Sequence, residues 1–105
     1  MNKDSIIRGN GQSRKVTIDG IELSPVKSQA MYNHSPDGFS WGYCGSGPSQ
    51  FALSLLLEAT DQEEAALLYQ SFKFDIISEL GEDFEMGANQ IYEWLELERE
   101  KRILS

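Results

Sequence analysis

The stretch from residue 33 to residue 50 constrains the fold more than any other part of the chain. It reads NHSPDGFSWGYCGSGPSQ and holds four glycines, two prolines, three aromatic residues and the only histidine and cysteine of the sequence. Glycine allows sharp backbone bends, and proline suits the first turn of a helix. Residues 51–57, which follow, form the most apolar run of the chain. The pattern therefore predicts a tight turn that opens into a buried helix.

We predict this helix over residues 48–59, with Ser46 or Gly47 as its N-cap. Its apolar side chains cover nearly the whole circumference, and only Gln50 and Ser54 make a polar stripe. A helix that is apolar all round is normally buried. We therefore expect it to lie at the centre of the core.

A small N-terminal sheet is predicted from alternating segments. Asp19-Gly20 between two such segments is a strong signal for a β-hairpin. Residues 39–43 alternate large aromatic with small side chains, which fits an extended segment with all three rings on one face. Residues 24–38 read as a connection. The candidate strands are residues 6–8, 16–18, 21–23, 39–43 and 83–86.

Two amphipathic helices follow the central one. Asp61 and Glu64 fit a capping box at the start of the first, which we predict to run to about residue 80, before Gly81. The second is predicted over residues 88–101. The expected fold is α+β, with a small, mostly antiparallel N-terminal sheet packed on about three helices.

Length and composition fit one globular domain. The chain has 105 residues, 40% of them hydrophobic, which is enough for one packed core and no more. We expect a single domain over residues 1–105, with a frayed start at 1–5 and a C-terminal tail at 102–105. One cysteine excludes an internal disulfide, and no segment reads as a signal peptide or a membrane span. These features predict a cytoplasmic protein.

Charge is distributed unevenly along the chain. The net charge is −8, yet residues 1–57 carry five basic and four acidic side chains, whereas residues 58–105 carry four basic and thirteen acidic ones. Direct nucleic-acid binding is disfavoured, because it needs Lys and Arg to neutralise phosphates. A basic protein surface suits the acidic half, although such runs are also typical of solvated helix faces. The candidate partner-binding residues are Asp75, Glu79, Glu93, Glu96 and Glu100.

The turn before the central helix is a candidate anion or nucleotide site. Amides at a helix N-terminus are unpaired donors that attract anions, and the glycines leave room for a phosphate. No lysine follows, so the turn is not a P-loop. Alternatively, the serine only caps the helix and the aromatic rings belong to the core. The candidate ligand-binding residues are His34, Trp41, Tyr43, Gly45, Ser46, Gly47 and Ser49.

Catalysis and metal binding have weaker support. His34 and Cys44 would need to lie within hydrogen-bond reach of each other to form a nucleophilic pair. A buried, inert cysteine is the commoner arrangement, so we expect a non-enzymatic protein. One histidine and one cysteine without metal-ligand spacing predict neither a metal nor a cofactor.

The central stretch resembles the signature of a small domain family that occurs in bacteria, phages and other mobile elements. The shared pattern is NHSPxGFxWGY followed by GSGPxQxAL, and it extends to VTIDG upstream and LYQxFK downstream, over about residues 6–95. Cys44 stands where the family tends to have Gly, which argues against a catalytic cysteine. Phe84 stands where Trp is usual, which implies an aromatic core position. The family has no assigned activity.

Together these features lead us to expect a non-enzymatic binding protein of a phage or mobile element. It would act in counter-defence by covering a basic surface of a host effector with helices 62–80 and 88–101. The alternative is a protein that binds or sequesters a phosphate-bearing ligand, such as a nucleotide signal, at residues 45–49. A homodimer is compatible with both, because a chain this small buries only about two thirds of its surface alone.

Overall fold

The protein has an α+β fold, as its sequence predicts. A computed structural model describes residues 1–104. It contains four strands, four α-helices and one 3₁₀ turn over these residues. Along the chain they are β1 (Ile6–Gly9), β2 (Val16–Ile18), β3 (Ile21–Glu22), α1 (Val26–Met31), α2 (Ser46–Ala59), α3 (Gln62–Asp75), the 3₁₀ turn (Ile77–Glu79), β4 (Phe84–Gly87) and α4 (Ala88–Leu104).

The sheet is antiparallel with the strand order β3-β2-β1-β4. The predicted hairpin is confirmed: Ile18 pairs with Ile21 across the turn, where Asp19 and Gly20 have φ values of 52° and 82°. Two positive φ values are what a tight two-residue hairpin turn requires. The Asp19 carboxylate also accepts the Ile6 N–H at 2.9 Å, and this hydrogen bond lowers the pKa of Asp19. This hydrogen bond ties the hairpin turn to strand β1.

Helix α2 forms the centre of the core, as predicted. Every residue from 47 to 57 is buried, so the helix has no solvent face along most of its length. It begins at Ser46 with Gly45 as its N-cap, two residues before the predicted start at Pro48. It packs against α3, which follows after a two-residue connection.

Two predictions about the segment before α2 are wrong. Residues 39–43 form no strand, because the backbone bends at Gly38 and Gly42, where φ is 109° and 85°. The three rings of this segment therefore do not share one face. Phe39 and Trp41 are buried, whereas Tyr43 is 52% exposed.

The connection predicted at residues 24–38 contains the short helix α1. Pro25 precedes it as N-cap, and the Ser28 hydroxyl donates to the Pro25 carbonyl at 2.9 Å. The helix has only six residues, which is too short for a periodic apolar pattern to show in the sequence.

The predicted ends of the other helices also differ. Helix α3 stops at Asp75, five residues before the predicted end, and the 3₁₀ turn follows. The Ser78 hydroxyl donates to the Phe74 carbonyl at 2.7 Å, and such side-chain bonds compete with the helical pattern. Helix α4 continues to Leu104, past the predicted end at 101. Most of the predicted tail is thus helix, and Ser105 lies outside the described residues.

The first residues of the chain contact the rest of the domain. The Ala88 N–H of α4 donates to the Ser5 carbonyl at 2.9 Å, and the Tyr92 hydroxyl of α4 donates to the Met1 carbonyl at 3.1 Å. No helix within residues 1–104 has the length and apolar character needed to cross a membrane.

Candidate functional site

A buried glutamine fastens the turn region onto α2. Gln50 is fully buried, and its side-chain oxygen accepts the backbone N–H groups of His34 at 2.7 Å and Ser35 at 3.0 Å. Its amide nitrogen donates to the Ser28 hydroxyl at 2.8 Å. Buried polar groups need such partners. The backbone N–H groups of His34 and Ser35 therefore anchor this segment to α2.

The His34 side chain lies in an aromatic cluster at the surface. Its Nε2 is 2.7 Å from the Tyr69 hydroxyl of α3, and the Tyr32 ring stacks on Tyr69 with centroids 6.2 Å apart. Cys44 is exposed. Within residues 1–104, the ring of His34 is hydrogen-bonded to Tyr69 and not to Cys44. The candidate nucleophile Cys44 and its candidate base His34 therefore do not form a hydrogen bond.

Trp41 belongs to the core. Its ring is 2% exposed, and its indole N–H donates to the carbonyls of Gly81 and Glu82, both at 2.9 Å. It packs on Phe51 and meets Phe84 edge to face at 5.1 Å. Among the aromatic residues predicted to stack a ligand at the turn, Tyr43 is the exposed one.

The start of α2 is only partly open to solvent. Ser46 is exposed and Gly45 is half-buried, whereas Gly47 and Ser49 are buried. A Cβ atom on Gly47 would lie 2.7 Å from the Ser40 Cβ, so glycine is needed there for close packing. The Ser49 N–H donates to the Gly45 carbonyl at 2.9 Å. Of the predicted ligand-binding residues, Tyr43 and Ser46 are the most accessible.

Three of the predicted partner-binding carboxylates share one face of α4. Glu93, Glu96 and Glu100 are all exposed, and spacings of three and four residues align them along the helix. None forms a salt bridge with a basic side chain of residues 1–104. We call these three residues the α4 acidic face.

The other two predicted carboxylates lie elsewhere. Asp75 accepts the indole N–H of Trp94 at 2.9 Å, so its carboxylate joins α3 to α4. Glu79 is exposed on the 3₁₀ turn. The structure thus separates the five predicted partner-binding residues into the α4 acidic face, one packing contact and one surface side chain on another element.

Glu64 forms an ion cluster that the sequence analysis missed. Its carboxylate accepts from Arg99 at 2.6 Å and Arg102 at 2.7 Å, and from the Thr60 hydroxyl at 2.6 Å. The hydrogen bond from Arg99 is the largest cause that lowers the pKa of Glu64 to about 2. The capping pattern was half right, because Asp61 does accept the Glu64 N–H at 2.8 Å. Arg99 and Arg102 lie thirty-five or more residues from Glu64 along the chain, so no local sequence pattern predicts these contacts.

The α4 acidic face borders a surface groove of about 630 Å³ between the N-terminal residues and α4. Glu93 and Glu96 line this groove together with the half-buried ring of Tyr92. Arg99 also lines it, but its guanidinium is held by Glu64. The remaining lining residues are Met1, Asn2, Lys3 and Asn89.

The described part of the chain offers no ready-made metal centre. No group of three or more His, Cys, Asp or Glu side chains within residues 1–104 is placed to hold a metal ion.

Comparison with known proteins assigns the chain to a family but not to an activity. No curated protein and no solved structure is significantly similar to it. The model of DUF6166, described as a family of unknown function, matches residues 7–97, in agreement with the resemblance found in the sequence. The protein belongs to the DUF6166 family.

Proposed function

We propose that this protein is a non-enzymatic binding protein whose α4 acidic face covers a basic surface of a partner protein. The observation that carries the proposal is that the side chains of this face are exposed and form no salt bridges within residues 1–104. Glu93, Glu96 and Glu100 are exposed and form no salt bridge with any basic side chain of residues 1–104. Their negative charge is available to a partner.

Neighbouring charges on the same helix are already satisfied. Glu98 pairs with Lys101 at 3.0 Å, and both Arg99 and Arg102 are bound to Glu64. Glu96 also interacts electrostatically with Arg99, but none of the three residues of the acidic face forms a salt bridge within residues 1–104. Complementary charge across an interface speeds association and selects partners, which favours a partner rich in Lys or Arg.

The adjoining groove supports a docking role. Glu93 and Glu96 line it beside the ring of Tyr92, together with the basic side chains of Lys3 and Arg99, so apolar surface and charges of both signs meet at one place. Aromatic residues with a polar tip are enriched in protein interfaces. A basic segment of the partner would place its charged groups against the glutamates and its aliphatic stems against the ring.

The biological setting that we propose is counter-defence in the cytoplasm of a host cell. It is supported by the resemblance to a family found in phages and other mobile elements, and by the acidic second half of the chain. The mechanism is occlusion: the protein occupies a basic surface that a host effector uses for its own ligand.

A second candidate function is the binding of a phosphate-bearing small ligand at residues 45–49. It is favoured by the exposure of Ser46 and Tyr43 beside the first turn of α2, which contains no acidic residue. Ser46→Glu places a negative charge there and should abolish binding of such a ligand. A ligand adduct seen by native mass spectrometry that survives this substitution contradicts the second function.

The leading proposal is tested with two triple variants that change the net charge equally. Glu93→Gln, Glu96→Gln and Glu100→Gln remove the α4 acidic face, whereas the control removes the exposed carboxylates of Glu58, Glu63 and Glu82. We expect a host protein captured by the wild-type chain to be lost from the α4 variant and retained by the control. Equal retention by both variants would contradict the proposal.

A further inference from the structure

Exposed apolar side chains accompany the glutamates on the outer side of α4. Leu97, Ile103 and Leu104 are 57%, 81% and 87% exposed, whereas Ile91 and Leu95 on the inner side of the same helix are buried. A single exposed apolar residue is ordinary on a protein surface. Three of them within two helical turns form an apolar patch that the domain itself does not bury.

Two of these apolar residues form one stripe with two of the glutamates. The stripe consists of Glu93, Leu97, Glu100 and Leu104, which follow one another at spacings of four, three and four residues. Residues so spaced lie on one side of a helix, and the same spacing defines the seam of a coiled coil. We call these four residues the α4 stripe. Ile103 lies beside it, three residues after Glu100.

The spacing of the leucines indicates the conformation of a partner segment. Leu97 and Leu104 are about 10.5 Å apart along the helix axis, at a rise of about 1.5 Å per residue. Residues seven apart on a second helix repeat at the same distance. In an extended segment, side chains on one face repeat every 6.7 Å or so, which matches neither one nor two such steps. The stripe therefore fits a helix better than an extended segment.

The glutamates of the stripe indicate the charge of that helix. Glu93 and Glu100 form no salt bridge with a basic side chain of residues 1–104. A helix whose own seam alternates apolar residues with Lys or Arg would pack on the leucines and pair with the glutamates. The aliphatic stems of Lys and Arg also cover apolar surface while their charged ends stay in water. The stripe therefore fits a basic amphipathic helix.

A second copy of this chain fits the stripe poorly. Symmetric pairing of two stripes would bring their glutamates together, and like charges across an interface are costly. The basic side chains near the end of α4 already have partners: Lys101 is bound to Glu98 at 3.0 Å, and Arg99 and Arg102 are bound to Glu64. The net charge of −8 adds to the repulsion between copies.

We propose that the partner presents a basic amphipathic α-helix that packs along the α4 stripe. Its apolar side chains contact Leu97 and Leu104, and its Lys or Arg side chains pair with Glu93 and Glu100. This inference rests on the proposed function and adds the form of the partner segment. A basic surface alone would need only the glutamates, so the two leucines distinguish the two claims.

The test measures the binding of three synthetic peptides to the wild-type protein by calorimetry and two-dimensional NMR. The heptad peptide has about 21 residues, long enough to form a helix, with Leu and Lys alternating along its seam and Ala and Gln elsewhere. The scrambled peptide has the same composition but no leucine stripe. The proline peptide is the heptad peptide with a central proline, which breaks the helix.

We expect the heptad peptide to bind saturably and at least about tenfold more tightly than either control peptide. It should shift the amide signals of residues 93–104. Leu97→Ser and Leu104→Ser should each weaken its binding several-fold without changing the binding of the scrambled peptide. The matched control is Leu67→Ser, because Leu67 is 64% exposed on α3, and it should bind the heptad peptide as the wild type does.

Four results would overturn this inference. Equal binding of the heptad and scrambled peptides, lost for both when Glu93, Glu96 and Glu100 are changed to Gln, would leave the proposed function standing and remove the helix. Heptad-peptide binding that survives this triple change would contradict both claims. Equal binding of the proline peptide would indicate an extended partner. A wild-type dimer in sedimentation that Leu97→Ser dissociates would show that a second copy occupies the stripe.

Discussion

The side-chain oxygen of Gln50 accepts the backbone N–H of His34 at 2.7 Å, in a place where the glutamine is fully buried. This bond joins the central helix to the segment that carries the only histidine of the chain. A buried amide that satisfies several partners specifies one arrangement of the chain around it. The Gln50 side chain thus fixes the backbone at His34 against the central helix.

Gln50→Ala should destabilise the fold by about 3 kcal/mol, because it leaves two backbone N–H groups without their acceptor and opens a cavity. Gln90→Ala, at an exposed position of α4, is the control and should change stability by less than about 0.5 kcal/mol. Urea unfolding measures both. Equal stability of the two variants would show that the Gln50 network contributes nothing.

Glu64→Gln should cost about 1–2 kcal/mol at pH 7. The folded pKa of Glu64 is lowered from 4.5 to about 2, so its ionised form stabilises the fold above pH 4.5, and this contribution is lost as the pH falls through about 2. The magnitude is reduced by solvent screening, because the arginine partners are 44% and 40% exposed.

The difference in stability between wild type and Glu64→Gln should therefore shrink below pH 4.5 and vanish near pH 2. Thermal unfolding at several pH values measures it. Glu63→Gln is the matched control, since Glu63 is exposed one residue earlier on the same helix. A difference that stays constant down to pH 2 would contradict the assignment of this ion cluster.

Gly47→Ala should destabilise the protein by about 1–3 kcal/mol, since its Cβ would lie 2.7 Å from the Ser40 Cβ. Ser46→Ala, at the exposed neighbour, should change stability by less than about 0.5 kcal/mol. Thermal unfolding distinguishes the two. A Gly47→Ala protein as stable as wild type would contradict the packing role of this glycine.

Trp41→Phe should reduce stability by about 1–3 kcal/mol, because two carbonyl groups lose their shared indole donor and the core loses volume. The indole N–H is 2.9 Å from both the Gly81 and the Glu82 carbonyl. Trp94→Phe removes the indole that donates to Asp75. It tests whether this α3–α4 hydrogen bond contributes as much to stability as the Trp41 hydrogen bonds. Denaturant unfolding followed by circular dichroism gives both values.

Short-range sequence patterns correctly predicted the elements that depend on neighbouring residues. The Asp19-Gly20 turn and the buried helix α2 follow from residue types that lie next to one another, and both are present in the structure. The predicted strand at residues 39–43 was wrong because alternation alone does not reveal the positive φ values at Gly38 and Gly42.

Contacts between residues that are far apart in the chain could not be predicted from the sequence. The ion cluster joins Glu64 of α3 to Arg99 and Arg102 of α4, and no residue spacing in the sequence predicts it. The position of the Arg14 guanidinium over the Trp41 ring, 4.9 Å from its centroid, is also a tertiary contact. For the α4 acidic face, by contrast, the alignment of Glu93 with its neighbours follows directly from helical spacing.

The central claim is that the α4 acidic face is the surface that meets a basic partner. Hydrogen exchange on the purified complex tests it most directly, because bound surfaces exchange more slowly than free ones. We predict new protection over residues 89–100 on binding, lost when Glu93, Glu96 and Glu100 are changed to Gln. Protection confined to residues 43–49 instead, with α4 unaffected, would contradict the account.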